Sequence, residues 1–309
     1  MKHFPNKTVL IVCGPTAVGK TAVAISLAKH FHTEIISADS RQCYKELTIG
    51  VARPSEKELK EVPHHFIASH PISSGSVTDS ITAAYFEQYA LHKANELFQQ
   101  YNVLVMVGGT GLYIKAFTEG LDAIPPVDES ARKEIIANYE AKGLQWLQDE
   151  VKKKDPSFFI AGETQNPQRM MRALEVIRTT GRSILEFRTN KKAERDFKIV
   201  KIGLELTKEE LHQQINSRVD KMIADGLVDE VRSLVDHKET NALQTVGYKE
   251  IFAFIDGKIT LDKAIEEIKK NTRQYAKRQM TWFKKDKEIK WFAPEQINDI
   301  TRYCESQLR

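Results

Sequence analysis

Residues 14–21 read GPTAVGKT and match a phosphate-binding loop at every position that the pattern specifies. Glycines let backbone N–H groups in such a loop turn toward an anion, and the following helix adds the positive end of its dipole. A β-branched run at 7–13 leads into the loop, and apolar residues at helical spacing follow over 21–31. This strand–loop–helix context predicts phosphate binding, but it leaves open whether the phosphate belongs to a nucleotide.

Two further apolar runs predict strands of the same sheet. The run EIIS at 34–37 ends in ADSRQCY, and VLVMV at 103–107 ends in GGTGLY before another helical pattern. Strands that alternate with helices favour a parallel sheet, whose ligands collect beyond the carboxyl ends of the strands. The predicted fold class is therefore α/β, a P-loop NTPase-like core with a parallel sheet flanked by helices.

The character of the chain changes near residue 123. The segment IPPVDES combines a proline break with a helix-cap signal, and the residues up to 196 are helix-like, with charges of both signs. A strand pattern resumes at 197–206, and the remainder is mostly helical, including a long element at 261–285. These patterns predict an α/β core at 1–122 and 197–309, interrupted by an all-helical insertion domain at 123–196.

Composition excludes several classes of protein. The 309 residues contain no apolar run near the roughly 18 needed for a membrane span, and the N-terminus enters a strand pattern without a cleavable signal. We therefore expect a cytoplasmic protein with no membrane partner. Three widely spaced cysteines match no metal or redox pattern.

The positive charge is concentrated in one segment. The whole chain carries +4, whereas 269–290 holds nine basic residues against two acidic ones, a net of +7. Such a cluster is typical either of a phosphate-facing surface or of a solvated helix face, and charge alone does not separate the two. In the same helix, Trp282 and Phe283 fall on the apolar side with Tyr275 and Ile268, so we expect both to pack in the core.

Candidate catalytic residues follow the predicted strands. Lys20 supplies a full positive charge in the loop, and the Thr21 hydroxyl can ligate magnesium. A nucleoside triphosphatase also needs an acidic residue at a strand end, but VLVMV ends in GGTG. The acidic residue near the loop is instead Asp39, placed to meet the acceptor of a transferred group or simply to cap a helix. Thr110 could reach a bridging phosphate oxygen, although Gly-Gly-Thr is also a common turn.

The chain resembles the tRNA dimethylallyltransferases of bacterial type, also called tRNA isopentenyltransferases. Eight blocks between residues 14 and 283 occur in that family's order and at about its spacing: GPTAVGKT, EIISADSRQCY, IGVARPS, PHH, VGGTGLYIKA, NPQRMMRALEV, VGYKEI and YAKRQMTWF. The resemblance implies transfer of a dimethylallyl group from dimethylallyl diphosphate to N6 of an adenosine in tRNA. That adenosine, position 37, lies 3′ of the anticodon in tRNAs that read codons beginning with U.

The resemblance also implies the residues of the donor site. Asp39 is the base that takes the amine proton, and Thr110 donates to the bridging oxygen of the diphosphate. Lys20 and Arg218 neutralise the charge of the leaving group, with Mg²⁺ as cofactor at Thr21. The diphosphate-binding residues implied are Gly14, Pro15, Thr16, Ala17, Val18, Gly19, Lys20, Thr21 and Arg218.

For tRNA, the resemblance implies that the insertion clamps the anticodon stem-loop, and we expect a monomer to carry the whole site. The implied tRNA-binding residues of the core are Asp39, Ser40, Arg41, Gln42, Thr110, Val246, Gly247, Tyr248, Lys249, Lys277 and Arg278. Those of the insertion are Arg132, Gln165, Asn166, Pro167, Gln168 and Arg169.

Two other functions remain open from the residues alone. A P-loop kinase of small molecules would use Asp39 to activate a substrate hydroxyl and the insertion as a lid over ATP. A nucleic-acid-dependent ATPase would hydrolyse ATP when RNA is bound, although the third strand lacks the acidic end that it needs.

Overall fold

A computed structural model of the chain describes residues 7–72, 81–162, 164–189 and 191–308. The chain forms two compact units, one made of Met1–Thr118 and Glu194–Arg309 and the other of Glu119–Ala193. The sequence patterns predict the corresponding insertion at 123–196. Each unit has a hydrophobic core of its own, and each is described separately below.

The first unit contains a six-stranded parallel sheet, which confirms the predicted fold class. Its strands are β1 (Thr8–Cys13), β2 (Ile35–Ser37), β3 (His64–His65), β4 (Val103–Gly108), β5 (Lys198–Leu204) and β6 (Lys290–Phe292). They lie in the order β3-β2-β4-β1-β5-β6, so β4 separates β1 from β2. The carboxyl ends of these three strands are therefore neighbours at one edge of the sheet.

Burial on both faces explains why β1 and β4 are unbroken apolar runs. Every residue of the two strands is buried. Side chains alternate between faces, so Val9 and Ile11 join one core cluster whereas Leu10 and Val12 join the other. Helices cover both faces, as a parallel sheet requires.

Nine α-helices lie wholly or mostly in the described part of the first unit. They are α1 (Lys20–Phe31), α2 (Glu56–Glu61), α3 (Ala83–Leu97), α4 (Gly111–Glu119, whose last residue falls in the second unit), α8 (Lys208–Ala224), α9 (Leu227–Arg232), α10 (Tyr248–Ile255), α11 (Leu261–Phe283) and α12 (Ile297–Gln307). Helix α11 begins at the Thr260 cap, whose hydroxyl accepts the Lys263 N–H. It buries Ile268, Gln279 and Phe283 on one side. Within the described ranges, no helix has both the length and the apolar character needed to cross a membrane.

The second unit is helical throughout its regular structure. It contains α5 (Glu129–Lys154), α6 (Pro156–Ala161), α7 (Pro167–Thr180) and a 3₁₀ turn (Ile184–Phe187). Asp128 caps α5, and Gly143 interrupts this helix with a φ of 75°. The buried Asp155 side chain accepts the Phe158 N–H at the start of α6 and the Ser183 hydroxyl from the far end of the unit. This carboxylate therefore ties the ends of the small core together.

Candidate active site

Three loops at the carboxyl ends of β1, β2 and β4 form the centre of the site. The Ala38 N–H donates to the Val107 carbonyl at 2.7 Å, and the Ala38 carbonyl accepts the Thr110 N–H at 3.3 Å. The loop after β2 is thereby fastened to the loop after β4. Because β4 also pairs with β1, the phosphate loop lies beside both. The predicted meeting of GPTAVGKT, ADSRQCY and GGTGLY at one edge of the sheet is confirmed.

The phosphate loop is closed by backbone constraints and by its lysine. Gly14 has a φ of 144°, and a Cβ atom there would lie 2.6 Å from the Leu204 carbonyl oxygen. The Lys20 ammonium donates to the Pro15 carbonyl at 2.6 Å, which keeps it folded over the loop. Burial and the neighbouring Arg218 charge lower the pKa of Lys20 to about 8. An anion bound in the loop would favour the charged ammonium and raise this pKa again.

Arg218 reaches the phosphate loop from helix α8. Its Nη1 donates to the Thr16 hydroxyl oxygen at 3.3 Å. Burial lowers the pKa of the guanidinium, and the charge of Asp39 opposes that shift. Two cationic groups from distant parts of the chain thus face the same loop, with one carboxylate near them.

Asp39 caps the turn that follows β2 with only one of its oxygens. Its Oδ1 accepts the N–H groups of Arg41 at 2.8 Å and Gln42 at 3.2 Å. Among the described residues, Oδ2 has no hydrogen-bond partner. The capping interpretation and the catalytic interpretation of Asp39 are therefore compatible, because the backbone fixes the carboxylate and leaves its second oxygen for a ligand.

Two clefts meet at a wall that includes Thr16, Asp39 and Arg218. The first, here the loop cleft, has a volume of about 770 Å³ and is lined by Lys20 and Thr21, among others. The second, here the basic cleft, measures about 520 Å³. Basic side chains on its lining, besides Arg218, are Arg41, Lys249 and Arg278. Ligands in the two clefts would therefore approach each other at Asp39.

Several residues predicted to bind tRNA are used inside the first unit. The Gln42 side-chain amide donates to the carbonyls of Val51 at 3.1 Å and Ala52 at 3.0 Å, where it holds the segment between the two clefts. The Tyr248 side chain is fully buried and its hydroxyl donates to Glu230 at 2.7 Å. The side chain therefore supports the basic cleft from within, and the contact of Tyr248 with tRNA stays a prediction.

The other predicted residues of the core are at or near the clefts. The Gly247 N–H is buried and donates to Glu250 at 2.8 Å. Arg41 donates to the Asn241 carbonyl at 2.7 Å, which extends its side chain along the basic cleft. Val246 and Lys249 line that cleft, and the Lys277 side chain is exposed on α11.

The second unit places its predicted residues at the surface around helices α5 and α7. The buried Glu175 carboxylate forms two ion pairs, with Arg132 at 3.5 Å on one oxygen and with Arg172 at 3.1 Å on the other. The Asn166 side chain caps α7 by accepting the Arg169 N–H at 3.2 Å, and the helix then begins at Pro167. Gln165, Gln168 and Arg169 are exposed.

The basic segment of α11 and the turn after it is only partly paired. Lys270 contacts Glu267 at 3.1 Å and Lys284 contacts Glu205 at 2.6 Å, as in a solvated helix face. Lys269 likewise contacts Asp220 on α8. Arg278, in contrast, lines the basic cleft with its guanidinium 5.7 Å from the ring centre of Tyr275.

Sequence reasoning missed two residues of the site and misplaced a third. Glu230 accepts three backbone N–H groups of the 48–50 segment, and the buried Gln279 amide bridges two of the strand-end loops. Gln279 lies in the YAKRQ block, but no spacing indicates its partners. Trp282 was expected in the core, yet it is 38% exposed and its ring lies over Gly111. Phe283 is buried as predicted.

Comparisons with known proteins match this architecture over most of the chain. The family model described as IPP transferase matches residues 42–286. A tRNA dimethylallyltransferase of Christiangramia forsetii is 49% identical over 298 residues, 96% of this chain and 97% of that relative. The tRNA dimethylallyltransferase of Cytophaga hutchinsonii is 45% identical over 306 residues, 99% of each chain.

Solved structures agree with the sequence relatives. The full-length tRNA isopentenylpyrophosphate transferase of Bacillus halodurans superposes with a TM-score of 0.71 at 36% identity, covering 98% of this chain and 97% of its own. A eukaryotic dimethylallyltransferase, described as acting on tRNA, gives a TM-score of 0.70 at 26% identity, covering 90% of this chain and 70% of its own. Since family model, relatives and structures all match over most of the chain, this protein belongs to the IPP transferase family.

Proposed function

We propose that this protein transfers the dimethylallyl group of dimethylallyl diphosphate to N6 of adenosine 37 in tRNAs that read codons beginning with U. The observation that carries the proposal is the shared wall of the two clefts, where Asp39 lies between a phosphate loop and a basic surface. Relatives that are 45–49% identical over nearly the whole chain are named tRNA dimethylallyltransferases, which supports the same reaction.

The loop cleft would hold the donor by its diphosphate. Negative charge develops on this group as the allylic carbon–oxygen bond breaks, so cations placed in advance lower the barrier. Lys20 and Arg218 supply two such charges, and the remaining loop N–H groups of residues 17–21 add to them. The Thr16 N–H is not among these donors, because Gln279 accepts it. Thr16 would instead orient Arg218 through its hydroxyl.

Magnesium is the cofactor that fits this cleft. The Thr21 hydroxyl and the Asp39 carboxylate both line it, and oxygen ligands of this kind suit Mg²⁺, which keeps several waters and binds substrate phosphates. Within the described ranges, no three His, Cys, Asp or Glu side chains are grouped to form an all-protein metal site. Bound there, Mg²⁺ would neutralise charge on the leaving diphosphate. Thr21 is the residue that we propose as its protein ligand.

Asp39 and Thr110 would act on the two ends of the displacement. The adenine amine is a poor nucleophile because its lone pair is delocalised, so it needs a base as the new C–N bond forms. The Asp39 Oδ2 atom is held at the meeting of the clefts and can take that proton. The Thr110 hydroxyl points toward the Ser40 hydroxyl at 3.4 Å, a long contact that it could exchange for the bridging diphosphate oxygen.

The basic cleft would receive the target base. A base in an anticodon loop must leave its stack before a pocket can hold it. Ser40, Arg41 and Gln42 would act on the extruded base, and Arg278 and Lys277 would contact backbone phosphates. In the second unit, Arg132, Gln165, Gln168 and Arg169 are the residues that would clamp the stem-loop. Since all of these belong to one chain, we propose a monomer as the active form, acting in the cytoplasm where its tRNA substrate would be met.

One experiment separates this function from its alternatives. Purified protein, Mg²⁺ and ¹⁴C-labelled dimethylallyl diphosphate are incubated with an unmodified tRNA reading UNN codons and with the same tRNA carrying guanosine at position 37. We expect label in the first RNA alone. Absence of label from both, combined with turnover of ATP in a parallel incubation that contains ATP and tRNA, would reject prenyl transfer in favour of a P-loop kinase or an RNA-dependent ATPase.

A further inference from the structure

The Gln279 side chain joins two of the loops that form the site. Its Oε1 accepts the Thr16 N–H at 2.8 Å, and its Nε2 donates to the Gly109 carbonyl at 2.8 Å. The residue is 7% exposed, so both bonds form out of water. A side-chain amide carries an acceptor and a donor on separate atoms, so it can satisfy a backbone N–H of one loop and a backbone carbonyl of another together.

The Gln279 amide lies close against the backbone of Gly109. A Cβ atom at Gly109 would lie 2.3 Å from the Gln279 Nε2 atom and 3.7 Å from the Gly14 carbonyl oxygen. The glycine is therefore required by the close approach of helix α11 to the two loops. A larger residue at position 109 would displace the Gln279 amide and break its two hydrogen bonds.

Helix α11 also contacts Gly111, the residue that follows Thr110. Three residues after Gln279, the Trp282 ring covers Gly111, where a Cβ atom would lie 2.3 Å from the indole. Thr110 is thus flanked by one residue that Gln279 binds and another that Trp282 covers. This explains why Trp282 lies at the surface and not in the core.

We propose that Gln279 is a positioning residue for prenyl transfer, which sets the distance between the phosphate loop at Thr16 and the turn that carries Thr110. The inference rests on the proposed function. The loop holds one end of the diphosphate and Thr110 contacts its bridging oxygen, so both must be aligned on the same leaving group. Misplacement of a catalytic group by about 1 Å can slow a reaction about 10²-fold.

The test uses two variants that change the amide differently. Gln279→Leu keeps the approximate size and removes both hydrogen bonds. Gln279→Glu keeps an acceptor for the Thr16 N–H and places a carboxylate oxygen against the Gly109 carbonyl. Thr281→Ala is the matched control on the same helix, since the Thr281 hydroxyl donates only to its own helix, at the Lys277 carbonyl. Thermal unfolding defines a temperature at which every variant is folded.

At that temperature, prenyl transfer to an anticodon stem-loop is measured with both substrates varied. We expect kcat to fall about 10²-fold in both Gln279 variants, while their KM for the stem-loop stays that of the wild type. The Thr281→Ala variant should keep the wild-type kcat and KM. A folded Gln279→Leu variant with wild-type kcat, or a loss confined to KM, would overturn the inference. Absence of transfer by the wild type would instead reject the proposed function.

Discussion

The hydroxyl oxygen of Thr110 accepts the backbone N–H of Ser40 at 3.1 Å. This bond connects the end of β4 to the residue directly after Asp39. The threonine that we propose for the leaving group and the carboxylate that we propose for the acceptor are therefore positioned by a shared contact. Since the hydroxyl oxygen accepts a hydrogen bond from the backbone, its own O–H remains a donor, engaged only in the 3.4 Å contact with the Ser40 hydroxyl.

Two substitutions of Thr110 should distinguish the effect of its hydroxyl on the reaction rate from the effect of its side-chain size. Thr110→Ala removes the donor to the bridging oxygen, and we expect single-turnover transfer to slow about 10²–10³-fold. Thr110→Ser keeps the hydroxyl and the bond to Ser40, so most of the rate should remain. Equal rates for the alanine variant and the wild type, at saturating substrates, would remove Thr110 from the reaction.

Two substitutions of Asp39 should distinguish its proposed role as a base from its role in capping the turn after β2. Asp39→Asn keeps Oδ1 as an acceptor for the Arg41 and Gln42 N–H groups but loses the base, so we expect transfer to slow about 10²–10⁴-fold with unchanged stability. Asp39→Ala should be as slow and also lose about 0.5–2 kcal/mol of unfolding free energy, as for other capping side chains. Rates and denaturant unfolding of both variants test this. An active asparagine variant would contradict the role of base.

The lowered pKa of Lys20 predicts that the affinity for diphosphate depends on pH. Its pKa is lowered to about 8 in the free protein, and a bound diphosphate favours the charged ammonium and raises that pKa. Affinity should therefore fall as the pH rises above about 8, and binding there should take up a proton. Calorimetry in two buffers of different ionisation enthalpy measures the uptake. The Lys20→Arg variant stays charged over this pH range, so its proton uptake measures the titration of the diphosphate alone. If the variant takes up as many protons as the wild type, Lys20 is not the group that titrates.

The central strands were predictable because their burial is visible in sequence. The runs at 7–13, 34–37, 103–107 and 197–206 are rich in apolar residues, and the strands found there begin and end within about three residues of them. The edge strands β3 and β6 were not predicted. They contain two and three residues, and neither is a continuous apolar run. Their pairing depends on the sheet that is already present.

The site was predictable where a local motif carries it and not where distant residues meet. The phosphate loop and Asp39 lie in contiguous blocks, so their placement at strand ends followed from topology. Glu230 contacts N–H groups about 180 residues away, and no periodicity reveals such a contact. Trp282 was misplaced because apolar spacing identifies a helix face but not what that face meets, here the turn around Gly111.

The Glu230 carboxylate should be a main source of stability at the wall of the clefts. It accepts the N–H groups of Thr48, Ile49 and Gly50 and the Tyr248 hydroxyl. Tyr248→Phe removes one hydrogen bond to a charged group and should lower the free energy of unfolding by about 1.5–3 kcal/mol. Urea unfolding measures this, with Tyr303→Phe in α12 as the control. A change below about 0.5 kcal/mol would contradict it.

Salt dependence should decide between the two interpretations of the basic segment. If Lys277 and Arg278 contact RNA phosphates, each alanine substitution weakens binding of an anticodon stem-loop and reduces the slope of log K against log salt by about 0.7–0.9. Lys270→Ala is the control, since Lys270 lies on the same helix and contacts Glu267 at 3.1 Å. Fluorescence anisotropy over a salt series measures the slope, and kcat at saturating RNA should stay near that of the wild type. Equal slopes for all three variants and the wild type would identify the segment as a solvated helix face.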